Sequence, residues 1–301
     1  MRSAPEQAFA ESHRKLSIAP SVGYGRRVAK VRLRTVDAFT DTPFTGNPAA
    51  VVLLEEAASD EWMAAVARET NVSDTAFVMP EELSDANFRL RWFTPAVEVD
   101  LCGHATLASA HCLFEDGVRD PIRFATRSGV LTVSRRSDGS LAMDFPAWPP
   151  RQVDAARETS EALGATVQWT GRSENKFFLL ALLDDEPSVR NLIPDLEAVA
   201  GLDASAVIVT AAADGEDYDF VSRLFAPKAG IAEDPVTGSS HTVLGPFWGD
   251  RLGRTSLVGL QASSRSGLVG IELAGDRVTI TGRAITIVDG SLTPPAQPHY
   301  K

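Results

Sequence analysis

The stretch Val99-Asp100-Leu101-Cys102-Gly103-His104-Ala105-Thr106-Leu107 follows the same design as a second stretch, Ala232-Glu233-Asp234-Pro235-Val236-Thr237-Gly238-Ser239-Ser240-His241. Each places side chains that can exchange protons beside a glycine, directly before a run that is predicted to be helical. A glycine lets the backbone turn sharply, and the free N–H groups at a helix start can bind an anion. If the two stretches face each other, they can hold a small carboxylate and move a proton on it.

The composition of the 301-residue chain is that of a soluble globular protein, with 44% hydrophobic and 23% charged residues. The 29 basic and 40 acidic side chains give a net charge of −11, which argues against nucleic acid or an anionic membrane as a partner. The two cysteines form no disulfide framework, so we expect a cytoplasmic protein. Residues 1–30 are basic but lack the apolar stretch of a signal peptide, and we predict a disordered tail there.

Hydrophobic patterning predicts two halves that share one plan, in which strands come first and a glycine-containing stretch then opens a helix. We therefore predict an α+β fold with two similar domains, over residues 31–120 and 121–290, and a cleft between them for a small molecule. A C-terminal strand near residues 284–293 is a candidate to complete the first domain. The central helices are predicted at residues 105–114 and 240–248.

Two side chains stand out as candidates for proton chemistry, and a third lies at a junction where functional residues are common. His104 follows a glycine at a helix start, where the dipole favours the neutral imidazole; the alternative is a structural histidine bonded to a backbone carbonyl. Asp234 could orient a substrate, or it could simply cap a helix or a turn. Asp74 lies where a loop enters a strand, a common place for a functional side chain, but its spacing does not distinguish it from the many other acidic residues. The backbone N–H groups of Gly238 and Ser239 are candidates to hold a carboxylate.

Several other chemistries lack their motifs in this sequence. There is no Walker A sequence, no G-x-G-x-x-G after a predicted strand, and no G-x-S-x-G elbow. His104 and His111 are seven residues apart and no His-Glu-x-x-His occurs, so the sequence predicts no zinc site. The sequence therefore has no motif for these chemistries or for a zinc ion.

Four ordered motifs together resemble the PhzF family of phenazine-biosynthesis-like isomerases. They are Val36-Asp37-Ala38-Phe39 with Phe44-Thr45-Gly46-Asn47-Pro48-Ala49-Ala50-Val51, then Asn71-Val72-Ser73-Asp74-Thr75-Ala76-Phe77-Val78, then Cys102-Gly103-His104-Ala105-Thr106-Leu107-Ala108, and finally Glu233-Asp234-Pro235-Val236-Thr237-Gly238-Ser239. The resemblance runs from about Val31 to about Val288.

The resemblance implies a fold like that of diaminopimelate epimerase, in which each domain is a curved, mostly antiparallel sheet or barrel around a central helix. It also implies a cofactor-independent proton shift in the cleft and a homodimer. Asp74 occupies the place of the glutamate that moves the proton in the phenazine enzyme, and His104, Asp234 and Ser239 match other active-site positions of the family.

Two departures from the family pattern affect the substrate. Asp74 is one methylene shorter than glutamate, a difference of roughly 1.5 Å in reach. A misplacement of about 1 Å can cost on the order of 100-fold in rate, so the phenazine substrate itself is not expected. Ala105 stands where the phenazine enzyme has a proline after the glycine-histidine pair.

The epimerase relatives use two cysteines, one on each side of the substrate carbon. Cys102 lies where the first would be, but no thiol occurs near Pro235, where the second is expected. A two-thiol racemase is therefore disfavoured.

We therefore predict an isomerase that moves a proton on a small carboxylate substrate. Asp74, His104 and Asp234 are the predicted catalytic residues, and the predicted substrate-binding residues are Gly103, Gly238, Ser239, Ser73 and Asn47. Two alternatives remain at this point: a family member that binds a metabolite or a protein without turnover, and an epimerase that depends on Cys102.

Overall fold

The computed structural model describes residues 30–81 and 85–292. The predicted disordered tail, residues 1–30, therefore lies outside the described residues except for Lys30. No helix within the described residues is long and apolar enough to cross a membrane.

The described residues form 18 strands and six α-helices. The strands are β1 (Val31–Ala38), β2 (Asn47–Leu53), β3 (Asp74–Pro80), β4 (Phe88–Phe93), β5 (Glu98–Val99), β6 (Ile122–Thr126), β7 (Gly129–Arg135), β8 (Leu141–Pro146), β9 (Arg151–Gln152), β10 (Trp169–Arg172), β11 (Phe178–Leu182), β12 (Ala206–Ala212), β13 (Phe220–Ala226), β14 (Ile231–Asp234), β15 (Ser256–Gln261), β16 (Gly267–Ala274), β17 (Arg277–Gly282) and β18 (Ala284–Leu292). The helices are α1 (Asp60–Thr70), α2 (Gly103–Glu115), α3 (Ala156–Leu163), α4 (Glu186–Arg190), α5 (Leu196–Gly201) and α6 (His241–Leu252).

The strands join into one continuous mixed sheet. Its order is β18-β1-β2-β3-β4-β6-β7-β8-β17-β16-β15-β13-β12-β11-β10-β9, with β5 added on β4 and β14 on β13. The pairs β2–β3, β4–β6, β11–β12 and β13–β15 are parallel, and the other pairs are antiparallel. The sheet is therefore mostly antiparallel, as the resemblance implied.

Helix α2 is the central helix of the N-terminal half. It packs against β1, β2, β3, β8 and β18, which are spread along the first half of the strand order, so the sheet must curve around it. Ten of its 13 residues are buried, which explains a sequence rich in alanine and other small or apolar residues with little amphipathic character.

Helix α6 takes the equivalent place in the C-terminal half. It packs against β15, β16 and β17, while Trp248 within the helix donates from Nε1 to Oγ1 of Thr210 on β12 at 3.0 Å. Two glycines bring the helix close to β16, because a Cβ at Gly245 would lie 2.8 Å from Ile271 Cγ2. A Cβ at Gly249 would lie 2.4 Å from Leu273 Cδ1. The α+β fold with two similarly built helix-centred halves is confirmed.

The C-terminal strand returns to the N-terminal half, since β18 pairs with β1 from Ala38 opposite Ala284 to Val31 opposite Leu292. At the predicted boundary near residue 120 the sheet runs on without a break, because β6 pairs with β4. The division into residues 31–120 and 121–290 stays a prediction.

Candidate active site

The two glycine-containing stretches meet face to face. Gly103 is the first residue of α2, and Gly238 begins a short 3-10 turn, Gly238–Ser240, that leads directly into α6. A Cβ placed on Gly103 would lie 3.8 Å from Cα of Gly238 and 3.9 Å from the backbone nitrogen of Ser239. Helix geometry leaves the first N–H groups of a helix without intrahelical partners. The arrangement can therefore bind a carboxylate between two helix starts.

Asp74 is the first residue of β3, and the parallel register of β2 and β3 places it beside Ala49. The residue is only 8% exposed, and its Oδ1 has no hydrogen-bond partner within the described residues. Burial, aided by the negative charge of Asp234, raises the pKa of Asp74 to about 7, although the thiol of Cys102 opposes this rise. Its carboxyl group can therefore both take and give a proton near neutral pH.

His104 connects Asp74 with Cys102. Its Nε2 lies 3.7 Å from Oδ2 of Asp74, and its Nδ1 lies 3.4 Å from Sγ of Cys102. Burial lowers the pKa of His104 to about 3, so the imidazole is neutral near pH 7 and can act as a hydrogen-bond donor or acceptor. Cys102 is the N-cap of α2, and burial raises the pKa of its thiol well above the usual range.

Asp234 is held by a network from both halves of the chain. Asn47 Nδ2 donates to Oδ1 of Asp234 at 2.8 Å and to the carbonyl of Val236 at 2.8 Å. Thr237 Oγ1 donates to Oδ2 of Asp234. Desolvation of the carboxyl raises the pKa of Asp234 to about 6, while the hydrogen bonds from Thr237 and Asn47 oppose the rise. The network fixes the direction of the carboxyl, while desolvation outweighs its hydrogen bonds and keeps the pKa above the ordinary value.

Gln261 at the end of β15 is a member of this network that sequence reasoning missed. Its Oε1 accepts from the backbone N–H of Thr237 at 2.8 Å, and its Nε2 donates to the carbonyl of Asp234 at 2.9 Å. It therefore fixes the turn that carries Asp234 and Gly238. The signal available in the sequence is the alternation of Leu257, Gly259 and Gln261, which are the buried positions of β15.

The electrostatic character of the site is negative. In the part of the chain that the structure describes, neither Asp74 nor Asp234 forms an ion pair with a lysine or an arginine, and the nearest basic group of Asp74 is the neutral His104. An anionic substrate must therefore be held by backbone N–H groups rather than by a cationic side chain.

Most of the predicted site residues come together in space, and Asn47 takes a role that the sequence did not specify, because it bonds to Asp234 and Val236. Both amide hydrogens of Asn47 are used within the protein, and its Oδ1 is buried without a hydrogen-bond partner among residues 30–81 and 85–292. Ser73 is half-buried just before β3. Among the described residues its hydroxyl makes no hydrogen bond that would fix it, and its substrate-binding role stays a prediction.

Comparison with known proteins places the chain and its fold in one family. The family model described as phenazine biosynthesis-like protein (PhzC-PhzF) matches residues 36–290. An uncharacterized isomerase of Pseudomonas aeruginosa is 47% identical over 259 residues, which cover 85% of this chain and 96% of that protein. The crystal structure of a phenazine biosynthesis protein of the PhzF family, from Enterococcus faecalis, is 39% identical in sequence and superposes with a TM-score of 0.83. The match covers 88% of this chain and 100% of that one.

A more distant likeness shows the fold alone. A hydroxyproline epimerase from Agrobacterium vitis superposes with a TM-score of 0.57 at 14% identity, covering 90% of this chain and 95% of that one. The family model and the relatives described as isomerases identify the protein as an isomerase, and the solved structures give it an epimerase-like fold. The chain belongs to the phenazine biosynthesis-like (PhzF) family.

Proposed function

We propose that this isomerase moves a proton on a small carboxylate substrate without a cofactor, in the cleft between its two halves. The observation that carries the proposal is the buried Asp74 carboxyl, whose pKa of about 7 and unpartnered Oδ1 suit a group that exchanges a proton with a ligand. The adjacent starts of α2 and of the turn before α6 support binding of the substrate carboxylate.

In the proposed reaction Asp74 takes a proton from an acidic carbon and the electron pair spreads into the adjacent conjugated group. The same carboxyl then returns the proton to another carbon on the same face of the substrate, so no atom is gained or lost. His104 and Asp234 orient the substrate and stabilise the developing charge by hydrogen bonds. Backbone N–H groups at Gly103 and Ser239 hold the substrate carboxylate.

The shorter side chain of Asp74 narrows the class of substrate. Aspartate reaches roughly 1.5 Å less far than glutamate, so the reacting carbon must come closer to the start of β3. A small substrate that enters between the helix starts meets this demand better than a bulky ring system does.

Solvent-deuterium incorporation tests the proposal. The full chain is incubated in deuterated buffer with a panel of small carboxylic acids that carry an acidic allylic C–H, and exchange is followed by NMR. We expect exchange with at least one member, loss of exchange in Asp74→Asn, and full exchange in Asp276→Asn, a change at an exposed aspartate in the β16–β17 turn. Retained exchange in Asp74→Asn refutes the assignment of the proton carrier.

The pH profile adds a second criterion. Asp74 must be deprotonated to accept a proton, so the exchange rate should rise with pH up to about 7 and then level off. His104, with a pKa near 3, should add no inflection near its ordinary value of 6.5.

Two alternative functions are separated by the same assay. A family member that only binds a metabolite should show saturable binding of a panel member with no exchange. An epimerase that depends on Cys102 should lose exchange in Cys102→Ser, whereas the proposed mechanism retains it. The raised pKa of the Cys102 thiol disfavours a thiolate base and so favours Asp74.

We also propose a homodimer and a cytoplasmic location. The family resemblance supports the first, and a chain with two cysteines, both unpaired, supports the second. Light scattering on the purified full chain should give twice the mass of the 32.3 kDa monomer.

A further inference from the structure

Three different metal-ligating side chains converge at the start of α2. Asp74, Cys102 and His104 each offer one ligand atom, and these atoms all lie within 4.8 Å of one another. Two of the three are close in sequence, but Asp74 reaches them only through the placement of β3 beside α2. The spacing of residues along the chain therefore does not reveal this cluster.

Unpartnered polar atoms point into the cluster. Oδ1 of Asp74 and Nε2 of His104 are buried and lack hydrogen-bond partners within the described residues, and these two residues are only 8% and 5% exposed. Buried polar atoms are nearly always satisfied in folded proteins, so two orphans side by side indicate a missing partner. The negative surroundings of Asp74 and Asp234 favour a partner that is a cation.

We propose that Asp74, Cys102 and His104 form a binding site for a thiophilic divalent cation such as Zn²⁺. The bound ion blocks the candidate active site. The set of one thiolate, one imidazole and one carboxylate suits zinc better than magnesium or calcium, which prefer oxygen ligands. A water molecule can complete the four ligands that zinc usually takes.

The distances between the side chains are close to what the ion requires. Zinc binds sulfur at about 2.3 Å and nitrogen or oxygen at about 2.0–2.2 Å, so two ligands of one tetrahedral ion lie roughly 3.3–3.6 Å apart. The structure has 3.4 Å between Cys102 Sγ and His104 Nδ1, and 3.7 Å between His104 Nε2 and Asp74 Oδ2. These two distances involve different imidazole nitrogens, and only one of these nitrogens can bind the ion. One ligand atom from each residue lies within 4.8 Å of the other two, so the three atoms must approach one another by up to about 1.2 Å to reach zinc geometry.

Binding exchanges one cation for protons and leaves the site neutral. The Cys102 thiol releases its proton to solvent and binds as thiolate, and Asp74 binds as carboxylate. Their two negative charges balance the charge of Zn²⁺, while His104 contributes a neutral nitrogen. Since the ion occupies the Asp74 carboxyl, it prevents that group from carrying a substrate proton; this inhibitory consequence rests on the proposed function, whereas the binding itself does not.

Cobalt titration of the full-length protein tests the site without any turnover. Co²⁺ bound to a thiolate gives a near-ultraviolet charge-transfer band, and we expect one Co²⁺ per chain with that band, displaced by Zn²⁺. Cys102→Ser should abolish the band and weaken binding by about tenfold or more. Cys112→Ser is the matched control, since Cys112 is the other buried free cysteine and lies further along α2; it should bind as the wild type does.

A band that persists in Cys102→Ser, or no band in the wild type, overturns the proposal. Asp74→Asn provides a second criterion, because it keeps the thiol but should also weaken binding by about tenfold or more; unchanged affinity removes Asp74 from the site. Far-ultraviolet circular dichroism confirms that each variant is folded. Cobalt binding with no solvent exchange toward any panel member would leave this site standing while the proposed isomerisation fails.

Discussion

Replacing Asp74 with asparagine should stabilise the folded protein at alkaline pH while it abolishes the proposed proton transfer. Burial and the charge of Asp234 raise the pKa of Asp74 from its ordinary 3.8 to about 7. A carboxyl with a raised pKa holds its proton more tightly in the folded state, so its stabilising contribution is complete below pH 3.8 and is lost as the pH rises to about 7.

The size of the effect follows from the width of that pH window. Each pH unit corresponds to about 1.36 kcal/mol, so the ionised Asp74 carboxylate costs the folded wild type about 4 kcal/mol once the pH is above about 7. Asparagine has the shape of the protonated carboxyl and no proton to lose, so the variant avoids this cost.

Urea denaturation measures the effect directly, as the difference in free energy of unfolding between Asp74→Asn and the wild type. This difference should grow in favour of the variant by about 3 kcal/mol between about pH 5 and about pH 8. The control Asp276→Asn changes an exposed aspartate for which the described residues show no ion pair, and its difference should not grow. An Asp74→Asn protein that is no more stable than the wild type at about pH 8 would refute the assignment of a strongly desolvated carboxyl.

Three substitutions test the parts of the site that surround Asp74. Gly103→Ala should keep the free energy of unfolding within about 0.5 kcal/mol of wild type, because the added methyl would lie 3.8 Å from Gly238 Cα, an ordinary van der Waals distance. The variant should bind a carboxylate ligand more weakly in calorimetry, and an unchanged affinity would contradict the anion site. Gly238→Ala should lower the free energy of unfolding by about 1–3 kcal/mol, because the added methyl would lie 3.0 Å from Phe39 Cζ. An unchanged thermal melting curve would argue against this contact. Asn47→Ala should lower the free energy of unfolding by about 2–4 kcal/mol and raise the pKa of Asp234, because it removes a hydrogen bond to that carboxyl. NMR titration of the carboxyl carbon measures the pKa, and a lower value would be inconsistent with the hydrogen bond.

Long elements with a regular hydrophobic pattern were predictable from the sequence. The pattern predicts α1 over residues 60–69, and the helix spans Asp60–Thr70 with Ser59 as its N-cap, accepting from the backbone N–H of Trp62. The alternating pattern over residues 31–39 predicts β1 and the run at residues 88–93 predicts β4, and the observed strands are Val31–Ala38 and Phe88–Phe93. Local propensity and periodicity predict these elements, and neither depends on contacts with other parts of the chain.

The sequence does not predict some short or glycine-containing strands, because these strands form only through pairing and packing with other elements. The strands β5 and β9 are two residues long and exist only as additions to β4 and β10. β15 contains Gly259, whose missing side chain makes room for the ring of Phe220; a Cβ there would lie 2.5 Å from Phe220 Cζ. Such a glycine weakens the strand pattern in the sequence and is explained only by the packing.

The sequence is enough to identify the chemical groups of the candidate site, which are two glycines at predicted helix starts, one histidine, two aspartates and one nearby thiol. The burial, the neighbours and the protonation of these groups come from the tertiary structure alone. It brings Gly103 against Gly238 across 135 positions of the chain and buries Asp74 beside Cys102 and His104. The physical reason is that a pKa, an unpartnered polar atom and a gap between two helix starts depend on desolvation and distance, and both are properties of the packed chain.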